Sequence, residues 1–235
     1  MVAGVNPVLE LLRSGSPVDR VLLGPGPRRE ELLAACARRR VTPLQADRQA
    51  LDRAAGRPGH QGAVAVAPSF RYADLEDLRG AKEPLALVLD GVQDPRNLGA
   101  ILRSARAVGV GAVILPQDRS VGITSVVVGA SAGALFGLRV VRVTNLVRAM
   151  QALKGLGFWL VGLVPGIAGS LFELDLADRV ALVVGGEGGG LRPLVRRTCD
   201  LEACIPMAAG VESLNVSVAT GVALFELRRR ALQVR

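Results

Sequence analysis

The stretch LALVLDGVQDPRNLGAILRSARAVGVGAVILP (residues 85–116) decides the fold class of this chain. Its first part, LALVLDGV, is a near-continuous apolar run, which is typical of a strand buried in a parallel sheet. The apolar spacing that follows predicts a helix over 96–108, and GAVILP (111–116) predicts a second strand. Two strands joined by a helix indicate an open α/β sheet whose faces are covered by helices.

The same alternation continues towards the C-terminus. Further strands are predicted at 139–143, 158–164, 180–184 and 201–205, and a last helix is predicted over 215–230. We therefore predict a C-terminal α/β domain with a parallel sheet over residues 85–235.

The N-terminal part has shorter segments that alternate between helix-like and strand-like patterns. They predict a small, separate α/β domain over residues 1–70. The segment RYADLEDLRGAKEP (71–84) is charged and has no clear apolar period, so we interpret it as a linker.

Composition limits the kinds of partner. The net charge is +8, which suits an anionic partner such as nucleic acid. All but two of the 29 basic residues, Lys82 and Lys154, are arginines, so part of this bias is genomic. Aromatic residues make up only 3% of the chain, too few for a base-stacking surface. RNA binding would therefore use arginine, backbone and shape.

Cysteine and histidine are scarce. The three cysteines and the single histidine, His60, have no metal-ligand spacing, so we expect no metal site. An odd number of cysteines without a signal peptide indicates reduced thiols and a cytoplasmic protein. Apolar runs such as Val180–Val184 are far too short to span a membrane.

Three polar clusters follow predicted strands, where open α/β folds bind ligands. The first is DGVQDPRNLGAILRSARAVG (90–109), which contains Asn97 and, six residues later, Arg103. Asparagine is a common N-cap, so the alternative is that Asn97 only begins the helix and Arg103 is a solvated charge.

The second cluster, LVVGGEGGGLRP (182–193), places five glycines around Glu187 directly after an apolar strand. Glycine lets the backbone approach a ligand closely, although a flexible turn is the simpler interpretation. A dinucleotide-binding loop fits poorly, because it needs an acidic residue about 20 positions further on at the end of a second strand. A P-loop is excluded because no Gly-Lys-Ser/Thr follows.

The third cluster is CIPMAAGVESLNVSVATGVALFE (204–226), in which a polar loop leads into a helix at Asn215. A plain helix start would explain Asn215 by itself. The chain has only four asparagines, however, and two of them, Asn97 and Asn215, lie in these strand-end clusters.

Together the three clusters closely resemble the motifs of the SPOUT superfamily, in its TrmH-like branch of RNA ribose 2′-O-methyltransferases. The motifs are NLGAILR (97–103), the Gly-x-Glu-Gly loop at 185–188, and Ile-Pro-Met followed by Ser-Leu-Asn at 205–215. The resemblance covers residues 85–230. GVNPVLELL (4–12) and HQGAVA (60–65) are similar to the small ribosomal-protein-like RNA-binding domain of the ribosomal-RNA members, where we interpret His60 and Gln61 as a structural turn. Gly186 departs from the family, and we expect this to affect only loop stiffness.

The resemblance implies a deep trefoil knot, a homodimer, and S-adenosyl-L-methionine as the cofactor. It implies that main-chain groups of the knot loops hold the cofactor, with residues 162–166 as a further wall. The implied cofactor-binding residues are Leu163, Gly185, Glu187, Gly188, Ile205, Met207, Ser213, Leu214 and Asn215.

The resemblance also implies the catalytic residues Asn97, Arg103, Glu187 and Asn215. The family resemblance favours Arg103 as the general base. Because an arginine stays protonated in proteins, we prefer that it binds the phosphate beside the acceptor ribose and stabilises the developing alkoxide. Asn97 and Asn215 would orient Arg103 and the ribose, and Glu187 would order the loops or pair with an arginine. Arginines from both domains would bind the RNA, namely Arg28, Arg29, Arg38, Arg39, Arg40, Arg96 and Arg103.

The expected activity is methylation of a ribose 2′-hydroxyl, with a guanosine of 23S ribosomal RNA as the favoured substrate. A tRNA methyltransferase and a non-catalytic ribosome-assembly protein with a decayed methyltransferase domain remain alternatives. A dinucleotide-dependent oxidoreductase is a further alternative from a different class.

Overall fold

Two sheets form along the chain, and each lies in its own unit. We describe the protein from a computed structural model, and the structure describes residues 1–56, 58–80, 83–175 and 178–233. One unit comprises Met1–Arg71 with Ile123–Gly137, and the other comprises Tyr72–Gly122 with Leu138–Arg235. The segment Ile123–Gly137 lies within the predicted C-terminal domain by sequence, yet it packs with the first unit. Residues 81 and 82 of the predicted linker lie outside the described residues.

The first unit contains four short strands and three helices before residue 72. They are β1 (Val2–Ala3), α1 (Val5–Arg13), β2 (Arg20–Leu23), α2 (Arg29–Arg38), β3 (Leu44–Gln45), α3 (Arg48–Ala55) and β4 (Ala63–Val66). The sheet order is β1-β4-β2-β3, with β4 antiparallel to both neighbours and β2 parallel to β3. The predicted small α/β fold is therefore present.

Helix α1 explains why Ile123–Gly137 belongs to this unit. Its apolar stripe, including Val8, Leu11 and Leu12, is buried. Against the same helix lies Gly133, at φ +83°, and a side chain there would come 2.7 Å from the Cα atom of Pro7. A glycine is thus required where this segment meets the helix.

The remaining elements alternate strand and helix, as predicted. They are β5 (Leu85–Asp90), α4 (Pro95–Val108), β6 (Ala112–Pro116), α5 (Ser125–Ala130), β7 (Arg139–Val143), α6 (Leu146–Gly155), β8 (Trp159–Leu163), β9 (Val180–Gly185), α7 (Pro193–Thr198), β10 (Leu201–Ala203) and α8 (Val216–Gln233). All of these except α5 lie in the second unit.

The six strands of the second unit form one parallel sheet in the order β10-β8-β9-β5-β6-β7. Every residue of the two central strands, β5 and β9, is buried, which explains their continuous apolar sequences. The predicted parallel α/β sheet is confirmed. No helix among the described residues is both long and apolar enough to cross a lipid bilayer.

Because all six strands run in parallel, their carboxyl ends lie at one edge of the sheet. The loops after β5, β8, β9 and β10 therefore emerge on the same side, where ligands bind in open α/β folds. Helix α4 follows β5 directly and packs against α8. The sheet thus brings together the three sequence clusters that lie far apart along the chain.

Candidate active site

A cavity of about 440 Å³ lies beyond the carboxyl ends of β8, β9 and β10. Its volume falls within the range of about 300–1,000 Å³ that small-molecule sites usually have. All nine residues implied to bind a cofactor line this cavity. They are Leu163, Gly185, Glu187, Gly188, Ile205, Met207, Ser213, Leu214 and Asn215.

The glycine-rich segment after β9 forms a tight loop, which we call the glycine loop (residues 185–190). Gly186 and Gly190 pair across it as an antiparallel bridge, and Gly188 and Gly190 have left-handed backbones at φ +79° and +61°. A side chain at Gly185 would overlap the backbone of Gly190. The backbone of this segment therefore has a conformation that requires glycine at several positions.

Gly186 has a larger role than the one expected from sequence. A Cβ atom on Gly186 would overlap the carbonyl oxygen of Gly91, at the end of β5. The expectation that its departure from the family affects only loop stiffness is therefore wrong. Glycine at this position is what allows the backbones of the two loops to approach so closely.

Three side chains from the three clusters form one hydrogen-bonded chain. The Nδ2 atom of Asn215 donates to Oδ1 of Asn97 at 3.2 Å, and Nδ2 of Asn97 donates to Oε1 of Glu187 at 2.6 Å. These pairs are 118 and 90 residues apart in sequence. We call Asn215, Asn97 and Glu187 the amide–carboxylate chain, and two of its members, Asn215 and Glu187, line the cavity.

The capping alternatives have different outcomes for the two asparagines. Helix α4 is capped by Asp94, which accepts from the backbone N–H of Arg96, and Pro95 occupies the first helical position. The interpretation of Asn97 as only an N-cap is therefore wrong. Asn215 does accept from the backbone N–H of Ser217 at the start of α8, and it also donates to Asn97. Its side chain thus serves the helix and the site together.

Arg103 lies on the solvent-exposed face of α4, as do Arg96 and Arg106. Within the described part of the chain, the Arg103 side chain has no hydrogen-bond or ion-pair partner. The resemblance had implied that Asn97 and Asn215 orient Arg103, but neither of them bonds to it in the structure. An unpaired guanidinium two turns along the helix from the cavity edge remains free to bind an anion.

The structure adds a residue that the sequence interpretation did not single out. Asp90 ends β5, and its side chain is 0% exposed. Its carboxylate accepts from the backbone N–H of Arg192 at 2.8 Å and from Nε of the same arginine at 2.6 Å. The sequence did contain a signal for Asp90, which is an acidic residue at the end of a fully apolar strand. A carboxylate buried there requires a hydrogen-bond or ionic partner.

Cys199 lies against Gly162 of β8 and is not among the residues that line the cavity. Burial raises the pKa of its thiol to about 12, so the thiol stays neutral at physiological pH. Across the described ranges, no group of three or more His, Cys, Asp or Glu side chains is arranged to hold a metal ion.

The arginine side chains of the first unit differ in whether they have hydrogen-bond or ion-pair partners. Arg28 pairs with Glu31 at 2.6 Å, Arg29 donates to Gln45, and Arg39 donates to the backbone carbonyl of Gly15. Arg38 and Arg40 are exposed, and their side chains have no partner in the described residues. Of these five arginines, only Arg38 and Arg40 therefore have side chains that are available to bind RNA without breaking a bond seen in the described residues.

His60 has a structural position. It is buried, its Nδ1 atom accepts from the N–H of Gly62 at 3.0 Å, and its Nε2 atom lies 3.2 Å from Asp52. This geometry supports the interpretation of residues 60–62 as a structural turn.

The parallel sheet, the glycine loop and the cavity at its edge define a ligand-binding α/β enzyme unit joined to a small α/β unit. The chain belongs to the SpoU rRNA methylase family, whose model matches residues 84–225. The model for RNA 2′-O ribose methyltransferase substrate binding matches residues 1–73. The predicted membership of this RNA methyltransferase family is therefore confirmed.

Individual relatives agree with the family. The 23S rRNA (guanosine-2′-O-)-methyltransferase RlmB of Xanthomonas campestris is 44% identical, and the match covers 98% of this chain and 96% of the relative. Two solved structures with AdoMet are similar. The SpoU methyltransferase AviRb of Streptomyces viridochromogenes has a TM-score of 0.82 at 27% identity, over 99% of this chain and 90% of AviRb. An rRNA methyltransferase of Sinorhizobium meliloti has a TM-score of 0.80 at 27% identity, over 97% and 86%.

Proposed function

We propose that this protein transfers a methyl group from S-adenosyl-L-methionine to the ribose 2′-hydroxyl of a guanosine in 23S ribosomal RNA. The observation that carries the proposal is the cavity in which all three motif segments meet, joined by the amide–carboxylate chain. The nearly full-length similarity to RlmB supports the guanosine of 23S rRNA as the substrate.

The cavity fits S-adenosyl-L-methionine chemically. Glycines on one wall expose peptide groups that can bind adenine and ribose, and Leu163, Ile205 and Leu214 provide apolar surface. Among the described residues that line the cavity, Glu187 is the single ionisable one, and its carboxylate suits a cationic ligand. When bound, this cofactor supplies an electrophilic methyl group on a sulfonium.

The remaining task for the protein is to position and activate the ribose hydroxyl. Arg103 has a free guanidinium that can bind the adjacent phosphate in a bidentate manner. Since arginine stays protonated, we assign Arg103 the stabilisation of the developing alkoxide, and the proton of the 2′-hydroxyl passes to solvent water. Asn97 donates to Glu187 and accepts from Asn215, so the role of the two asparagines is to order the cavity edge.

The direct test is to map ribose methylation in ribosomal RNA from cells with and without this protein. Loss of one guanosine 2′-O-methyl group, restored by purified protein and S-adenosyl-L-methionine, is the expected result. A methylated tRNA with unchanged 23S rRNA would identify a tRNA enzyme. Specific RNA binding without any methyl transfer would favour the non-catalytic alternative.

We assign RNA substrate binding to residues 1–70 and methyl transfer to residues 85–235, with 71–84 as the linker. The two family matches, which end at residue 73 and begin at residue 84, support this division. The unpaired side chains of Arg38 and Arg40 in the first unit, and of Arg96 and Arg103 in the second, are the strongest candidates for phosphate contacts. Such contacts make RNA affinity fall steeply with salt.

A homodimer is supported by an exposed apolar stripe on α8. Val218, Val222, Phe225 and Leu232 recur at helical spacing and are each 38–55% exposed. A contiguous exposed apolar surface marks an interaction site. Val216 and Ala219 of the same helix line the cavity, so a second copy on this stripe would lie beside the cofactor.

Light scattering during gel filtration tests the dimer. The unchanged protein should elute as a dimer and Phe225→Asp as a monomer, because a charge would be buried in an apolar interface. Leu33→Asp, at an exposed leucine of α2, is the matched control and should leave the dimer intact. Equal masses for all three proteins at monomer size would refute the proposal.

The deep trefoil knot remains a proposal from the family resemblance. It is supported by the strand order, because β10 is the edge strand beside β8, whereas the following helix α8 packs on α4 and β9. Arg230 of α8 donates to the carbonyl oxygens of Leu171 and Leu174, which follow β8. Pulling a single molecule from its two ends is the test. A knotted chain stops short of its full contour length, and reaching that length would refute the knot.

We place this activity in the cytoplasm, where ribosomal RNA is assembled with protein in bacteria. The free cysteines Cys36, Cys199 and Cys204 support a reducing compartment. Cell fractionation is the test, and recovery outside the cytoplasm would contradict the assignment.

A further inference from the structure

We propose that Asp90 is a positioning residue that sets the affinity for S-adenosyl-L-methionine by anchoring both ends of the glycine loop. The inference rests on the proposed function, because it takes the cavity beside this loop as the cofactor site. Asp90 itself is not among the residues that line the cavity. It would therefore act through the loop and not by touching the cofactor.

Asp90 holds the loop at its beginning and just after its end. Its backbone oxygen accepts from the N–H of Gly186 at 2.9 Å, next to the strand pairing of Asp90 with Gly185. Its side-chain Oδ2 atom accepts from the N–H of Arg192 at 2.8 Å, immediately before α7. Asp90 thus fixes the distance between Gly186 and Arg192, the two ends between which the glycine loop projects.

The ionic contact strengthens this anchor. The Oδ1 atom of Asp90 lies 2.6 Å from both Nε and Nη2 of Arg192. The carboxylate is completely buried, whereas the Arg192 side chain is 44% exposed. Removing one partner of such a pair leaves a buried charge unsatisfied, which is much more costly than losing a surface ion pair.

The glycine loop needs an external anchor because it has almost no side chains of its own. Five of its six residues are glycines, so side-chain packing cannot hold its conformation. Its one large side chain, Glu187, is exposed and reaches Asn97. A shift of the loop at Asp90 would displace both the cavity wall and the amide–carboxylate chain. Asp90 therefore controls the shape of the cofactor cavity from beneath it.

The test uses the full-length protein and measures cofactor binding separately from turnover. Asp90→Asn keeps the size of the side chain but removes its charge and one acceptor. We expect the Kd for S-adenosyl-L-methionine, measured by calorimetry, to rise by about 10- to 100-fold. The KM for the cofactor should rise with it, by a larger factor than kcat at saturating cofactor falls.

Arg192→Gln is a second variant at a half-exposed position, and it decides the question if Asp90→Asn does not fold. It keeps the backbone N–H that donates to Asp90 but leaves the buried carboxylate without its cation, so we again expect the Kd to rise by about 10- to 100-fold. Since both residues act as one unit, the double variant should be no worse than Asp90→Asn within about threefold.

Glu202→Gln is the matched control. Glu202 forms a two-pronged ion pair with Arg196 on α7 at 2.6–2.7 Å, but it does not contact the glycine loop. Its cofactor Kd should be unchanged. The inference is overturned if Asp90→Asn or Arg192→Gln changes Kd no more than Glu202→Gln, even with a lower melting temperature. It is also overturned if kcat falls as much as KM rises.

A cavity variant separates this inference from the proposed function. Leu214→Arg should abolish cofactor binding, because it would fill the cavity with a charged side chain. If Leu214→Arg binds the cofactor normally, the cavity is not the cofactor site, and the proposed function is wrong in its assignment of this cavity. If only Leu214→Arg weakens binding, the cavity assignment stands and the role of Asp90 is wrong.

Discussion

The carboxyl edge of the second unit and the arginine-rich surface of the first unit use polar residues in different ways. At the edge, Asn97, Glu187 and Asn215 come from distant parts of the chain and bond to one another. In the first unit, Arg28 and Arg39 bond to residues of their own small fold. Two of these three edge residues, Glu187 and Asn215, line the ligand cavity, whereas Arg28 and Arg39 stabilise the unit that carries them.

The difference shows that polar residues near strand and helix ends must be judged by their partners. An arginine bonded to a backbone carbonyl has already lost much of its capacity to bind a phosphate. An arginine without a partner, such as Arg103 or Arg38, retains that capacity. Substitutions of the unpaired arginines therefore test whether paired and unpaired arginines differ in RNA binding.

The largest expected effect is at Arg103. Arg103→Ala should lower methyl transfer by about 10²- to 10³-fold, because it removes one preorganised donor from the developing alkoxide. The Kd for S-adenosyl-L-methionine should stay unchanged, since Arg103 is not among the cavity-lining residues. Tritium transfer to RNA and calorimetry measure the two quantities. Arg106→Ala on the same helix face is the control, and equal losses in both variants would contradict a specific role.

The second-largest expected effect concerns the packing of the glycine loop at the carboxyl edge of the sheet. Gly186→Ala should destabilise the fold by about 1–3 kcal/mol, because its methyl group would overlap the carbonyl oxygen of Gly91. Cofactor affinity should fall by about tenfold as the loop shifts. Gly189→Ala is the control, because a side chain there meets no atom within 4 Å. Chemical denaturation and calorimetry check both, and equal behaviour of the two variants would contradict the model of a tight loop.

A smaller effect distinguishes the arginines of the first unit. Replacing Arg38 and Arg40 together by alanine should reduce the salt dependence of RNA binding by about one phosphate contact for each arginine that binds. Arg39→Ala should instead lower the melting temperature, because Arg39 holds the carbonyl oxygens of Gly15 and Ser16. Filter binding at several salt concentrations gives the slopes. The comparison is wrong if Arg39→Ala changes the slope and the double variant does not.

The smallest effect concerns Glu226 on α8, which forms ion pairs with Arg229 and Arg230. Hydrogen bonds from Arg229, and also from Arg230, lower the pKa of Glu226 from its ordinary value of 4.5 to about 2. A lowered pKa in the folded state stabilises the protein above pH 4.5, and this contribution is lost as the pH falls towards 2. Glu226→Gln should therefore melt at a lower temperature than the unchanged protein at pH 7. The difference should shrink between pH 4.5 and 2.

Thermal melts from pH 7 to pH 2 measure this difference. Glu30→Gln, at an exposed carboxylate of α2, is the control and should show little difference at any pH. A gap for Glu226→Gln that stays constant down to pH 2 would contradict the assignment.

Much of the fold and the site was predictable because it depends on local patterns. Buried parallel strands require continuous apolar runs, so all six strands of the second unit could be located from sequence. Eight of the nine predicted cofactor-binding residues lie within the motifs, which have characteristic order and spacing, and all nine line the cavity. The cap of α4 was less clear, because asparagine and aspartate both suit a helix start. Only the structure showed that Asp94 caps it, so that the Asn97 side chain bonds Glu187 and Asn215 instead.

Other features depend on residues that meet only after folding. The buried pair of Asp90 and Arg192 spans 102 positions, and no local pattern connects them. The packing of Ile123–Gly137 with the first unit depends on a close approach at Gly133 that the sequence does not reveal. The requirement for glycine at residue 186 likewise comes from the backbone of a different loop.

The amino-acid sequence by itself determined the parallel α/β sheet, the family and the positions of the three motifs, because apolar periodicity and motif spacing are local properties. Tertiary structure alone decided which polar groups are satisfied and which remain free. It bonded Asn97 to Glu187 and Asn215, buried Asp90 against Arg192, and left Arg103 unpaired. The physical reason is that each polar group's hydrogen-bond partners depend on distances in space, which residue order does not specify.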